Sequence, residues 1–328
     1  MSQNTVLEIK DLEVELFSEQ GPLPVIDKVN LSIKEGEIVG IVGESGCGKS
    51  MLASAIMNLL NSPAQISAGT IFYEGQDMTT LSSKEFQKIR GNDISMIFQE
   101  PMTSLNPLMK VGKQIEEAIK AHEKVTNTEL KERAIAAIRE VGIPQPEKVY
   151  HDIPSRLSGG MRQRIMIAMA LVCHPKLLIC DEPTTALDVT IQAQILRLIK
   201  KLRDETNTAV IFISHDMGVI YQMVDRVVVM YAGQFVESAP CKKLFEKPLH
   251  PYTIGLQNAI PQINKQQSSL QDIPGSVPML DNLPEGCLFA PRCPFAKDEC
   301  FTKKVPLKHY GDHSVRCLLV DEGGWHNE

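Results

Sequence analysis

Residues 43–50 read Gly43-Glu44-Ser45-Gly46-Cys47-Gly48-Lys49-Ser50, and this stretch decides the fold. It fits the pattern G-x-x-x-x-G-K-[ST]. The glycines let the backbone curl so that successive N–H groups point inward at an anion, and a following helix adds the positive end of its dipole. Both flanks agree with that reading. Residues 37–42 are a short apolar run of the kind that forms a buried central strand, and residues 51–60 (MLASAIMNLL) hold helix formers without a breaker. Lys49 is then placed to reach the β- and γ-phosphates of a nucleotide, and the Ser50 hydroxyl to bind Mg²⁺.

Strand, glycine loop and helix form the opening unit of a P-loop domain. That unit alone predicts nucleotide binding and nothing finer, because kinases, GTPases and motors share it. Outward from it, residues 6–16 alternate apolar and polar, as a half-buried strand does, and residues 25–33 are a second candidate. Further strands are predicted over 94–98, 177–180, 209–213 and 226–230. Helices are expected over 111–122 and 190–203, and from Ser158 onward through 165–170. Thr126 with Glu129 predicts a capping box for a helix reaching about residue 141. Strands alternating with helices imply an α/β fold with a mostly parallel sheet, and residues 99–173 read as a helical insertion in it. Beyond about residue 241 prolines recur and periodicity fades, which predicts a separate, loop-rich appendage. The expected division is therefore 1–240, with a helical subdomain at about 100–173, and 241–328.

Composition narrows the class. With 328 residues, 43% of them hydrophobic and 23% charged, the chain is of ordinary globular make-up and long enough for one large domain plus an appendage. A formal net charge of −6 argues against a dedicated nucleic-acid binder. The most apolar stretch, 165–173, is far shorter than the roughly 20 residues that cross a bilayer. The polar first ten residues lack a signal-peptide core, so a cytoplasmic location is expected.

The apolar run 177–180 ends in Asp181-Glu182. Asp181 suits the Mg²⁺ shell, usually through water, and Glu182 is placed to polarise an attacking water. Upstream, Leu157-Ser158-Gly159-Gly160-Met161-Arg162-Gln163 offers a serine and two glycines at a helix start, a second set of bare N–H groups for phosphate. This heptad resembles the signature motif of ABC ATPases, and the likeness extends from about residue 6 to about residue 233. In that family the signature contacts ATP held by the opposite subunit of a head-to-tail dimer. By the same resemblance Gln99 matches the Q-loop glutamine, which touches the metal or water and links to the permease. Ala186-Leu187-Asp188 matches the D-loop, and His215 the switch histidine at the γ-phosphate. Phe17 is the candidate for stacking on adenine, with a core role at a strand end as the other reading. Cys47 occupies a variable loop position.

Residues 97–107 (IFQEPMTSLNP) and 248–253 (PLHPYT) are similar to stretches in the ATPase subunits of bacterial oligopeptide/dipeptide importers, and nickel importers share much of this region. The resemblance implies ATP hydrolysis driving solute uptake, with peptide the expected substrate and nickel or another small solute the alternative. It also implies a second, homologous ABC ATPase subunit, two transmembrane permease subunits and an extracellular substrate-binding protein. The place of work would be peripheral, on the cytoplasmic face of the membrane. Four cysteines crowd the tail, Cys287, Cys293, Cys300 and Cys317, in the spacing C-x5-C-x6-C-x16-C. Four thiolates can close a zinc site or hold an iron–sulfur cluster, and the spacing does not choose between them. The family resemblance favours a [4Fe–4S] cluster over Zn²⁺, in a structural role.

Overall fold

The computed structural model describes residues 4–19, 21–100, 104–185, 188–259 and 273–320. Its strands are β1 Thr5–Ser18, β2 Gly21–Lys34, β3 Ile38–Val42, β4 Ala64–Tyr73, β5 Gln76–Asp77, β6 Ile94–Ile97, β7 Leu177–Asp181, β8 Ala209–Ser214, β9 Arg226–Tyr231, β10 Gln234–Pro240, β11 Lys308–Tyr310 and β12 His313–Val315. With the helices between them the chain is α/β, as the alternation of patterns predicts. It divides into two compact units, the first made of Met1–Leu7, Ser32–Glu37 and Phe72–Ile211, the second of Glu8–Leu31, Ile38–Ile71 and Phe212–Glu328.

In the first unit β6 and β7 run parallel, in register from Ile94 opposite Leu177 to Ile97 opposite Cys180. Both strands are buried along their whole length, which is why they read as continuous apolar runs rather than alternating ones. The helices Val111–Lys120, Asn127–Glu140 and Gly159–Leu171 pack on one another, burying Ile115, Ile119, Leu130, Ile138 and Ile165. This is the helical region expected between residues 99 and 173. Thr126 caps its helix by accepting the Glu129 N–H at 3.3 Å, one half of the expected capping box. A complete box stands instead at Ser82, whose hydroxyl accepts the Glu85 N–H while the Glu85 carboxylate accepts the Ser82 N–H at 2.9 Å. It starts the helix Ser83–Ile89, which the sequence reading passes over.

In the second unit β3 lies parallel to β9, from Val39 opposite Arg226 to Val42 opposite Val229. Strand β9 pairs antiparallel with β10, and β10 with β12. Strand β11 closes this edge against β12. The first helix of this unit spans Lys49–Ile56 and stops short of the expected residue 60, because Asn58 turns left-handed at φ 49°. The tail is more ordered than its proline content suggests. It holds the helices Cys241–Glu246, Pro251–Asn258 and Asp298–Thr302, and its β12 extends the sheet through β10. A buried carboxylate fixes that junction. Glu237 of β10, with no exposed surface, accepts the Leu249 N–H at 2.6 Å and the His250 N–H at 2.9 Å, and meets His313 Nε2 at 2.6 Å. Among the described residues no helix is long and apolar enough to cross a membrane.

Candidate active site

In the second unit the glycine loop joins buried β3 to the helix Lys49–Ile56. Two of its glycines are required by the fold. A Cβ on Gly43 would lie 2.2 Å from the Met230 carbonyl oxygen, and Gly48 adopts φ 107° with the Val25 carbonyl 3.2 Å from where a Cβ would sit. Lys49 is buried, and its Nζ donates to the carbonyls of Gly43 at 2.8 Å and Glu44 at 2.9 Å. The ammonium is thus tied to the loop it serves. Ser45, Gly46 and Ser50 are exposed. Cys47 is not a solvent-facing filler: it is buried, its Sγ stands 3.6 Å from Lys49 Nζ, and burial pushes its thiol up despite that cation. Phe17, on β1, is 47% exposed, so it is no core residue and its ring is open to a ligand. His215 is exposed after β8, beside Asp216, which caps the helix Met217–Met223.

In the first unit Asp181 is buried at the end of β7, and Glu182 follows it in a left-handed turn at φ 47°. A non-glycine residue held there is an uncommon, costly conformation that functional positions tend to keep. Gln99, distant in sequence, donates from Nε2 to Glu182 Oε2 at 3.1 Å, and Thr185 donates from Oγ1 to the same oxygen at 3.0 Å. Two residues singled out for catalysis therefore meet. The signature heptad opens the helix Gly159–Leu171, with Ser158 as its cap, accepting the Met161 N–H at 3.3 Å. Leu157 is buried while Ser158 and Gly159 face solvent. Arg162 donates to the Pro154 carbonyl at 2.8 Å. Gln163 is buried and donates to the Pro183 carbonyl at 2.6 Å, anchoring the turn that carries Glu182. Asp188 caps the helix Val189–Thr206 by accepting the Ile191 N–H at 2.9 Å. Ala186 and Leu187 of the expected D-loop lie outside the described residues, as do Pro101, Met102 and Thr103 of the Q-loop stretch.

Sequence reasoning missed two residues that touch the glycine loop in the second unit. Arg292 holds the Glu44 carboxylate through two bonds, at 2.7 and 3.0 Å, and Tyr252 Oη accepts the Glu44 N–H at 2.8 Å. Tyr252 sits in the stretch 248–253 that resembles peptide-importer subunits, and Arg292 directly precedes Cys293 of the tail.

The four tail cysteines line one small cavity of the second unit together with His250. Burial pushes the Cys293 thiol up to about 11 and Cys317 up to about 12, and raises Cys287 as well. Such thiols stay protonated until a cation displaces the protons. Thiols are soft donors of the kind that thiophilic metals and clusters take. Among the described residues, no group of three or more His, Cys, Asp or Glu side chains is arranged to hold a metal ion.

A glycine loop of this form heading a helix, with an acidic strand end and a turn-held glutamate elsewhere in the chain, defines a P-loop ATPase. Residues 26–185 match the family described as ABC transporter, and residues 236–300 match the oligopeptide/dipeptide transporter C-terminal region. The chain is 50% identical over 323 residues to the oligopeptide transport ATP-binding protein AppD of Bacillus subtilis (strain 168), covering 98% of each chain. It is 45% identical over 312 residues to the dipeptide transport ATP-binding protein DppD of Haemophilus influenzae, covering 95% of this chain and 94% of that one. Among solved structures, the dimeric post-hydrolysis state of the ATP-binding cassette MJ0796 bound to ADP and Pi superposes with a TM-score of 0.66 at 28% identity, over 72% of this chain and 98% of that one. The chain belongs to the ABC transporter family, as an ATP-binding and ATP-hydrolysing subunit with a C-terminal region of the oligopeptide/dipeptide type.

Proposed function

We propose that this subunit energises the uptake of di- and oligopeptides through a separate membrane permease. The observation that carries the reading is the tail: residues 236–300 match the oligopeptide/dipeptide transporter C-terminal region, on a chain similar along nearly its whole length to an oligopeptide transport ATP-binding protein. The cassette is assigned to residues 1–240 and the peptide-importer tail to 241–328. The chain works as a peripheral subunit on the cytoplasmic face, with two transmembrane permease subunits, a second and homologous ATPase subunit, and an extracellular peptide-binding protein. Exposed Phe98 and Leu108, near the Q-loop, offer apolar side chains for a permease contact.

In this reading the loop Gly43–Ser50 wraps the phosphates, with Lys49 neutralising charge and Ser50 and Asp181 serving the Mg²⁺ shell. Phe17 stacks on the adenine. Glu182 polarises the attacking water, Gln99 holds its carboxylate, and His215 bonds the γ-phosphate. Ser158, Gly159 and Gly160 act on ATP held by the second subunit, with Asp188 near the same interface. Two features support an external role for the signature: Ser158 and Gly159 are exposed, and a Cβ on Gly159 would meet nothing of this chain within 4 Å. The protein's own packing therefore does not demand that glycine. Cys287, Cys293, Cys300 and Cys317 would hold a [4Fe–4S] cluster, or failing that zinc, as a staple for the tail.

Uptake by cells lacking this chain tests the proposal. A labelled dipeptide or tetrapeptide should fail to accumulate and should recover when the gene is restored. Normal peptide uptake with lost Ni²⁺ uptake would overturn the peptide assignment.

A further inference from the structure

Glu44 is the only acidic residue in the phosphate-binding loop, and the stretch that must welcome a highly charged anion has to do something with it. A carboxylate free to swing toward the phosphates would oppose binding by like-charge repulsion. In the second unit it is not free. The Arg292 guanidinium grips both of its oxygens in the fork geometry that suits a carboxylate. The arginine side chain is 5% exposed and is itself fixed, donating to the Pro274 carbonyl at 2.9 Å and the Gly275 carbonyl at 3.2 Å. The loop backbone is held at the same residue, where the Glu44 N–H donates to Tyr252 Oη. Tyr252 is fully buried, and its ring packs edge-on against Tyr231, with centroids 4.7 Å apart.

We propose that Arg292 and Tyr252, residues of the C-terminal region, are positioning residues of the ATP site: they park the Glu44 carboxylate away from the phosphates and fix the loop in its nucleotide-receptive shape. The tail then sets the affinity of the loop for ATP. Arg292 ends the short turn Ala290–Arg292, immediately before Cys293. The inference rests on the assignment of residues 43–50 as the loop that takes ATP.

The test is ATP affinity of the purified full chain, measured by calorimetry with Mg²⁺, alongside thermal unfolding. R292A should raise the Kd about tenfold, and adding E44Q to R292A should recover most of that loss, because removing the stranded charge removes the need for the clamp. Y252F, which deletes one oxygen and keeps the ring, should raise the Kd severalfold. Should R292A not fold, R292K keeps the cation without the fork and should show a smaller rise, again relieved by E44Q. Wild-type affinity in R292A, or in R292K and Y252F where R292A is unfolded, would overturn the proposal. So would a double variant as weak as R292A or R292K alone, since that marks a packing role without charge. K49A separates the two readings: if it binds ATP like the wild type, the loop assignment fails; if it loses ATP while R292A does not, only the clamp fails.

Discussion

Glu182 is the residue proposed to polarise the attacking water, and its side chain is held in place. Its backbone is held left-handed, and two donors, Gln99 and Thr185, converge on one of its oxygens. Both bonds fix the orientation of the carboxylate. Glu182→Gln keeps the shape and removes the charge, so ATP binding should persist while steady-state turnover falls at least a hundredfold; turnover near wild type would remove the residue from its role. Cys47 gives a second prediction at this scale. Burial holds its thiol above the ordinary range, so at pH 8 it is protonated and unreactive in the folded chain. Iodoacetamide should label it far more slowly than in urea-unfolded chain, as read by peptide mass spectrometry, and equal rates would contradict its buried placement. The motif residues were legible in the sequence because phosphate chemistry fixes their spacing locally. Arg292 and Tyr252 were not, since their partner Glu44 lies more than two hundred residues away and no local pattern encodes such a meeting.

Helix starts show which side chains do structural duty beside their catalytic setting. Asp188 falls within the stretch read as the D-loop, and its carboxylate caps the helix Val189–Thr206. Asp188→Ala should destabilise the chain by about 1 kcal/mol in urea unfolding, and Asp188→Asn, a comparable cap, by much less. If both lose stability equally, the cap is not what the carboxylate supplies. Element legibility followed burial. Strands β3, β6, β7, β8 and β9 read cleanly because they are apolar throughout or nearly so. Strand β4 did not, because Gly69 and two alanines interrupt its pattern, and the Ser82 box escaped because the helix it starts has only seven residues.

On the scale of the whole molecule, the C-terminal region matters to the second unit in two ways. It supplies β12 to the sheet, and it supplies the Leu249, His250 and His313 groups that meet the buried Glu237 carboxylate. A chain ended at residue 240 would lose those partners together with β12, which pairs with β10 at Glu237. Such a truncated chain should be largely insoluble or melt well below the full chain; a melting temperature within a few degrees of it would show the tail to be dispensable. Prolines hid this from the sequence, because the elements among the tail's described residues are three to eight residues long, too short for a hydrophobic period to declare itself.

The most direct test of the central claim is ATP hydrolysis by the complete transporter in proteoliposomes, with this chain, its partner ATPase, the permease pair and the binding protein. Adding peptide-loaded binding protein should raise the hydrolysis rate severalfold, and Glu182→Gln in this chain should abolish that rise. Hydrolysis that ignores peptide, or that survives the substitution unchanged, would contradict the assignment of this chain as the ATP-hydrolysing subunit of a peptide importer.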